Sequence, residues 1–190
     1  ALKEYDDINA LMNINTIYHL NNRIKDGKTN EVILMSEALH EKKIAEIADK
    51  IAAKDGIKLV LIAGPSSSGK TTFAKRLGIQ LRINGLKPVT IGTDNYFVER
   101  PDTPRDENGD YDFETIDALD LNLFNDHLTK LINGEEIEVP TFDFKIGSKK
   151  FLGNKMSLKE DEVLVIEGIH CLNDKLTASI PDNEKFKIYI

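Results

Sequence analysis

The sequence has little of several features that would define other classes of protein. Cys171 is the only cysteine, so no intrachain disulfide can form, and we expect a reducing, cytoplasmic environment. No apolar run approaches the roughly 20 residues that a membrane-spanning helix needs, and no signal-peptide pattern opens the chain. Basic residues are outnumbered, with 25 Lys and Arg against 32 Asp and Glu, which disfavours a surface for a nucleic-acid backbone. We therefore expect neither a nucleic-acid partner nor a membrane partner.

What is present is the composition of an ordinary globular protein. The 190 residues are 41% hydrophobic and 30% charged, which suits one full domain with a small appendage. There are no internal repeats and no low-complexity tracts. The chain starts at Ala1 rather than at Met, and residues 186–190 have the pattern of a strand with nothing after it. We expect the sequence to be a fragment of a longer chain.

The first part of the chain, residues 1–55, predicts a small α-rich segment. One helix is expected to end at Gly27. The apolar run at residues 31–35 predicts a short strand, and Ser36 is expected to cap a second helix that ends at Gly56. No constellation of chemical groups is visible in this segment.

From residue 56 onward, strand and helix patterns alternate. Strands are predicted at residues 58–63, 88–93, 162–167 and 186–190, and helices at residues 70–83 and 119–132. Strands that are separated by helices favour parallel pairing. Residues 56–190 therefore predict an α/β domain whose sheet is covered by helices on both faces.

The residues between the first strand and the first helix of this domain form a phosphate-binding motif. The chain matches G-x-x-x-x-G-K-T, with a strand before the motif and a helix after it. Gly64 and Gly69 let the backbone turn tightly, so that successive N–H groups point at phosphate oxygens near a helix N-terminus. Lys70 is expected to reach the β and γ phosphates, and the Thr71 hydroxyl to ligate Mg²⁺. The predicted nucleotide-binding residues are Gly64, Pro65, Ser66, Ser67, Ser68, Gly69, Lys70, Thr71 and Thr72.

Two carboxylates at strand ends are candidates for the chemistry. Glu167 ends an apolar strand, which suits a residue that organises Mg²⁺ beside the phosphate-binding motif, or P-loop. The alternative is a strand-end charge that only faces solvent. Asp94 ends another strand, where open α/β sheets gather their ligands, and could accept the proton of an attacking hydroxyl. It could instead cap the next turn, since Asp favours turns. We expect structural roles for His170 and Cys171, because adjacent residues point in different directions.

Five separated motifs, in this order and spacing, resemble the uridine kinase and phosphoribulokinase family. They are residues 64–72, 93–97, 111–114, 139–144 and 165–168, and the resemblance covers residues 57–190. It implies a doubly wound, mainly parallel sheet of the P-loop NTPase type with the P-loop strand in its centre. It also implies a kinase core that is truncated at its C-terminus, with ATP and Mg²⁺ as cofactors and a nucleoside-like small molecule as acceptor. Residues 1–55 fall outside the resemblance and are interpreted as the end of another domain.

The resemblance also implies roles for particular residues. Asp94 corresponds to the base that acts on the acceptor hydroxyl, Lys70 to the phosphate-binding lysine, and Glu167 to the carboxylate that helps to organise Mg²⁺. The implied acceptor-binding residues are Tyr96, Arg105, Glu114, Phe142 and Phe144. For Arg105 an alternative stays open, because the polar loop at residues 101–109 could equally be a simple connection.

Three positions depart from the pattern of uridine kinases. Glu114 lies in a stretch where those proteins use an aspartate, Phe142 stands in place of a tyrosine, and Gly147 in place of a histidine. The tyrosine hydroxyl and the imidazole are therefore absent. Because a site discriminates strongly through hydrogen bonds to its substrate, their absence argues against uridine as the specific acceptor.

The first functional hypothesis is an ATP- and Mg²⁺-dependent kinase that acts on a hydroxyl of a nucleoside or a related ribose-like molecule. The second is a regulatory module that senses ATP or GTP without transferring phosphate. A GTPase is disfavoured because no N-K-x-D-like motif is present, and a homo-oligomer stays an open option. Kinases with this kind of P-loop usually close an arginine-bearing lid over the γ-phosphate, and no arginine follows Glu167. We therefore expect this chain by itself to bind nucleotide phosphates but to be a poor kinase.

Overall fold

The computed structural model describes residues 2–190, with side chains from Asp6 onward. The chain divides into two compact units, Ala1–Glu46 and Ile47–Ile190. The division between Glu46 and Ile47 falls inside the helix Thr29–Ala52. The sequence analysis predicted the boundary near residue 55. No helix among the described residues is both long enough and apolar enough to cross a membrane.

The first unit is helical. It contains α1 (Leu2–Met12), α2 (Ile17–Lys25) and the beginning of α3 (Thr29–Ala52). The predicted strand at residues 31–35 is wrong, and so is the predicted cap at Ser36, because both lie inside α3. The Ser36 hydroxyl instead donates to the carbonyl oxygen of Val32 at 2.8 Å, as a serine inside a helix can do. A five-residue apolar run cannot by itself distinguish a strand from part of a long helix.

The second unit contains all the strands that the structure describes. After α3 its elements are β1 (Leu59–Ala63), α4 (Lys70–Ile83), β2 (Lys87–Gly92), α5 (Leu121–Ile132), β3 (Ile137–Glu138), β4 (Thr141–Asp143), β5 (Ser148–Lys150), β6 (Lys155–Met156), β7 (Glu162–Glu167) and β8 (Lys185–Tyr189). Four of these strands form a parallel sheet in the order β2-β7-β1-β8. Every residue of β1 is buried, as is usual for an inner strand of a parallel sheet.

Helices cover this sheet, which confirms the predicted fold class. α4 packs against β1, β2 and β7. On α5, Phe124, Leu128 and Leu131 are buried in one hydrophobic cluster with Leu59 and Leu61 of β1. Val60 and Ile62, which alternate with those leucines, are equally buried, so both faces of the sheet are covered.

The segments between the main strands form a loop and two short antiparallel pairs. β3 pairs with β6, and β4 pairs with β5 to make a hairpin at residues 141–150. β4 packs against the 3-10 turn Thr93–Tyr96, which follows β2. The loop at residues 99–114 follows this turn closely in the chain. It folds back on itself, and an antiparallel bridge joins Arg105 and Tyr111. The loop and the hairpin therefore lie beside the carboxyl end of β2.

Candidate active site

The phosphate-binding motif forms a tight turn between β1 and α4. Ser67 and Gly69 have φ angles of 62° and 93°, and α4 begins at Lys70. Such left-handed residues turn neighbouring N–H groups to one side of the backbone, and the start of a helix adds partial positive charge there. The Gly64 position also has no room for a side chain, because a Cβ would lie 2.6 Å from the carbonyl oxygen of Ile190. The backbone thus has the shape that the sequence motif predicts.

The ammonium group of Lys70 lies over its own loop. Its Nζ donates to the carbonyl oxygens of Gly64 at 3.0 Å and Pro65 at 2.8 Å. These two bonds hold the positive charge beside the turn whose amides would bind phosphate. A lysine ammonium has three donors, so a third remains available for another acceptor.

Thr71 and Glu167 face each other across the site. Thr71 Oγ1 donates to Glu167 Oε1 at 2.7 Å and lies 3.0 Å from Oε2. Because a hydroxyl has one proton and two lone pairs, this donation leaves lone pairs of the hydroxyl oxygen for a cation. Mg²⁺ prefers oxygen ligands and usually takes only one or two carboxylates, with phosphates and water completing its shell. No three His, Cys, Asp or Glu residues converge as a metal site among the residues whose side chains the structure describes. Thr71 and Glu167 are thus two oxygen donors of the kind that such a Mg²⁺ shell uses.

Asp94 belongs to the same cavity as the phosphate-binding motif. It is exposed and lies in the 3-10 turn that follows β2. The cavity has a volume of about 330 Å³ and is lined by Ser66, Ser67, Gly69, Lys70, Thr71, Thr72, Gly92, Asp94, Glu167 and Gly168. The cation and both carboxylates that the sequence singled out therefore come together. Gly92 and Gly168 also line the cavity and were not predicted as site residues, although Gly168 ends the motif at residues 165–168.

Tyr96 lies in the core rather than in the cavity. Its side chain is fully buried, and its hydroxyl shares a hydrogen bond of 3.0 Å with His127 Nδ1 of α5. Its ring also packs edge-on against Phe124, with centroids 4.8 Å apart. Burial raises the pKa of Tyr96 and lowers that of His127, and both shifts favour the uncharged form of the side chain. As placed, the Tyr96 side chain anchors the turn that carries Asp94 and does not reach an acceptor.

The predicted acceptor side is a cluster of rings that we call the aromatic rim. It consists of Phe97, Tyr111, Phe113, Phe142 and Phe144, linked by ring contacts with centroids 5.0–6.3 Å apart. Phe142 is almost completely buried, whereas Phe144 is 54% and Tyr111 is 37% exposed. The two exposed rings therefore offer the surface on which a ligand could pack.

Two arginines support the rim. Arg105 lies over the ring of Tyr111 at 4.2 Å and donates to the carbonyl oxygen of Gly109 at 2.5 Å. Arg100 donates to the carbonyl oxygen of Phe144 at 2.6 Å and packs against Gly147, where a Cβ would lie 2.5 Å from its Nε. Glycine at position 147 thus leaves room for Arg100, a relation that no sequence pattern indicated.

Glu114 and Cys171 are the other residues that the sequence analysis considered. Glu114 is exposed, and its backbone N–H donates to Asp112 at 2.9 Å. Cys171 is completely buried behind β7, with its Sγ 3.6 Å from the carbonyl oxygen of Ile166, and burial raises its pKa to about 12. A thiol in this state is a weak nucleophile, which agrees with the structural role predicted for it.

The parallel sheet, and the strand–turn–helix motif at its carboxyl edge, are the features of one class of α/β protein, the P-loop domains. Within that class, the chain belongs to the phosphoribulokinase / uridine kinase family, whose profile matches residues 59–190.

The chain is also similar to individual proteins, one of which has a different name. The chain is 30% identical over 129 residues to the uridine kinase of Halalkalibacterium halodurans, covering 67% of this chain and 59% of that protein. It is 36% identical over 124 residues to the inorganic pyrophosphatase TTM2 of Arabidopsis thaliana, covering 64% of this chain and 16% of that protein. Among solved structures, a possible uridine kinase from Bacillus stearothermophilus shares the fold with a TM-score of 0.59 at 24% identity, covering 78% and 79% of the two chains. The chain therefore spans only part of the length of the curated relatives it matches.

Proposed function

We propose that this chain is the core of a kinase that uses ATP and Mg²⁺ to phosphorylate a hydroxyl of an uncharged, nucleoside-like small molecule. The observation that carries the proposal is that Lys70, Asp94 and Glu167 line one cavity with the phosphate-binding turn. Phosphoryl transfer needs mainly positioning and neutralisation of charge, and this set of groups can supply both.

Each group has a distinct task in this proposal. Lys70 exchanges its bonds to the loop carbonyls for bonds to phosphate oxygens. Thr71 and Glu167 hold Mg²⁺, which when bound neutralises phosphate charge. Asp94 accepts the proton that the acceptor hydroxyl loses, a role that typically contributes about 10²- to 10⁴-fold in rate. Tyr96 contributes indirectly, because it anchors the turn on which Asp94 lies.

The surroundings of the aromatic rim support an uncharged acceptor. The loop at residues 99–114 carries seven carboxylates and two guanidinium groups. Both arginines already bond to backbone carbonyl oxygens, as described above. A phosphorylated sugar would meet repulsion from this loop, whereas a neutral molecule with an apolar or planar part could pack against Phe144 and Tyr111.

The first test is a panel of nucleosides, free sugars and sugar phosphates, measured for acceptor-dependent ADP release by the natural protein that carries this chain. We expect release with at least one neutral ribose-like compound. A regulatory module that only senses nucleotide would bind Mg·ATP and release no additional ADP with any acceptor, and that result would reject the kinase.

The role of Asp94 has its own test. Asp94→Asn should lower turnover by at least about 10²-fold and leave the affinity for ATP nearly unchanged, because a general base acts on the acceptor and not on the phosphates. Asp161→Asn, an exposed carboxylate just before the start of β7, is the matched control and should behave like the wild type. Near-normal turnover of Asp94→Asn would reject the assignment.

We also propose that the protein works in a reducing, cytoplasmic compartment. Cys171, the only cysteine in residues 1–190, is buried within the fold and has no cysteine partner among these residues.

A further inference from the structure

Gly168 and Thr93 approach each other very closely at the ends of two neighbouring strands. Gly168 directly follows Glu167 on β7, and Thr93 directly precedes Asp94 after β2. A Cβ atom on Gly168 would lie 2.0 Å from Thr93 Oγ1 and 3.0 Å from both Cβ and Cγ2 of Thr93. Both residues are buried, and Thr93 is only 2% exposed.

The reason for glycine at this position is the contact and not the backbone conformation. The φ angle of Gly168 lies outside the left-handed region that favours glycine. Its backbone is also held by the sheet, because Gly168 N donates to the carbonyl oxygen of Ile62 at 3.1 Å. The preceding residue, Glu167, pairs in register with Gly92 on one side and with Ile62 on the other. A side chain at position 168 would therefore push against Thr93 more easily than it could move β7.

We propose that Gly168 and Thr93 are positioning residues that set the distance between the carboxylates of Asp94 and Glu167. The inference rests on the proposed function and adds what controls its geometry. Glu167 is tied to the phosphate-binding helix through Thr71. Asp94 is carried by the turn that Thr93 begins, so the contact between Thr93 and Gly168 fixes the proton-accepting group relative to the metal-binding group. No residue of the phosphate-binding turn, residues 64–72, takes part in the contact itself.

The central test is Gly168→Ala in the natural protein. Real Cβ contacts essentially never fall under 3.0 Å, so the contact with Thr93 Oγ1 must open from 2.0 Å to at least that distance. A misplacement of about 1 Å can lower a rate by about 10²-fold, so we expect a loss of that order in kcat at saturating ATP and acceptor. The rise in melting temperature that Mg·ADP produces should stay close to that of the wild type, because residues 64–72 are unchanged and Glu167 is held by the strands on both sides of β7.

Two double variants show whether the loss arises from this contact. Thr93→Ala removes Oγ1 and Cγ2, so Gly168→Ala/Thr93→Ala should recover most of the turnover. Thr93→Val keeps both branches on Cβ, so Gly168→Ala/Thr93→Val should remain slow. Gly78→Ala is the matched control, because it adds the same methyl group on α4 and meets only Pro88 Cγ at an ordinary 3.6 Å, and it should not change turnover.

Each outcome decides between the alternatives. A folded Gly168→Ala with normal kcat, or equal recovery by the two double variants, overturns the proposal. If Gly168→Ala does not fold, Gly168→Ala/Thr93→Ala decides, since a folded double variant with the full loss of turnover also overturns it. If the wild type transfers phosphate to no acceptor, the proposed kinase fails. The spacing is then judged from crystal structures of Gly168→Ala and the wild type, in which an unchanged separation between Asp94 and Glu167 overturns the present inference.

Discussion

The phosphate end of the cavity and the aromatic rim are built by different means. The phosphate end consists of backbone turns and strand ends of a buried parallel sheet, with Lys70 and Glu167 placed by α4 and β7. The rim consists of a loop and a hairpin that are held by ring contacts and by Arg100. The residues at the end of a buried sheet tolerate few substitutions, whereas the loops that extend from the sheet can vary in sequence and length without disturbing the scaffold. Nucleotide binding and acceptor choice should therefore be separable by mutation.

The largest expected effect comes from breaking the phosphate end at Lys70. In the wild type, nucleotide at 100 times its dissociation constant should raise the free energy of unfolding by about 2.7 kcal/mol. Lys70→Ala should remove most of this stabilisation, because it deletes the cation that faces the phosphates. Thermal melting with and without millimolar Mg·ADP measures the effect. Lys75→Ala, an exposed lysine on the same helix, should keep the full shift, and an unchanged shift in Lys70→Ala would contradict the site.

A smaller effect is expected from breaking the rim at Gly147. Gly147→Ala requires a Cβ within 3.0 Å of Arg100 and a residue at φ 75°, so it should displace the hairpin that carries Phe144. We expect the acceptor KM to rise by about 10-fold, with nucleotide-induced stabilisation intact. Steady-state kinetics in the acceptor concentration, beside melting with Mg·ADP, measures both.

Gly153 provides the control for this experiment. It has nearly the same φ, 79°, but its Cβ would meet nothing within 4 Å. Gly153→Ala should therefore lose only the roughly 1–2 kcal/mol of stability that a left-handed alanine forfeits, with a normal acceptor KM. Equal acceptor KM values in the two variants would mean that the packing of Arg100 on Gly147 does not shape the rim.

The smallest effect concerns the buried Tyr96–His127 pair, which anchors the turn that carries Asp94. Burial lowers the pKa of His127 from its ordinary 6.5, against the opposing influence of Asp126 and Asp120 and with the help of Lys130. As the pH falls through 6.5, the unfolded chain takes up a proton that the folded chain does not, so stability should decrease. The slope can reach at most about 1.4 kcal/mol per pH unit.

His127→Gln keeps a polar partner for Tyr96 but removes the titration. The melting temperature measured between pH 7.5 and 5.5 should fall more steeply in the wild type than in this variant. Identical slopes would show that the Tyr96–His127 pair does not link pH to the stability of the turn.

The phosphate end was largely predictable from the sequence, and the rim was not. β7 and α4 have the bounds that the sequence predicted. The prediction succeeded because the apolar runs, the glycine-rich turn and the helical spacing all indicate the same elements. The grouping of Lys70, Asp94 and Glu167 follows from the rule that parallel strands gather ligands at their carboxyl ends. Contacts between distant segments carry no such local signal, and so the packing of Arg100 on Gly147 and of Thr93 on Gly168 became visible only in the structure.

The errors have equally physical causes. The apolar run at residues 31–35 has the composition of a strand, but the helix that contains it is 24 residues long, and its length decides the conformation. Tyr96 belongs to a motif that lies beside the site, yet the direction of its side chain depends on His127, which is 31 residues away in the chain. Position in a motif thus identified the turn correctly without identifying which side chains face the ligand.

Because Cys171 is buried, its reaction with an alkylating reagent can report local unfolding around it. It is the only cysteine in residues 1–190 and is completely buried, so an alkylating reagent can reach it only when the structure around it opens. The rate of alkylation, followed by intact mass, therefore reports on this local opening without any added probe. A ligand that binds only the folded protein lowers the population of opened molecules. Slower alkylation of Cys171 would therefore report the binding of a nucleotide, whether or not that nucleotide is turned over.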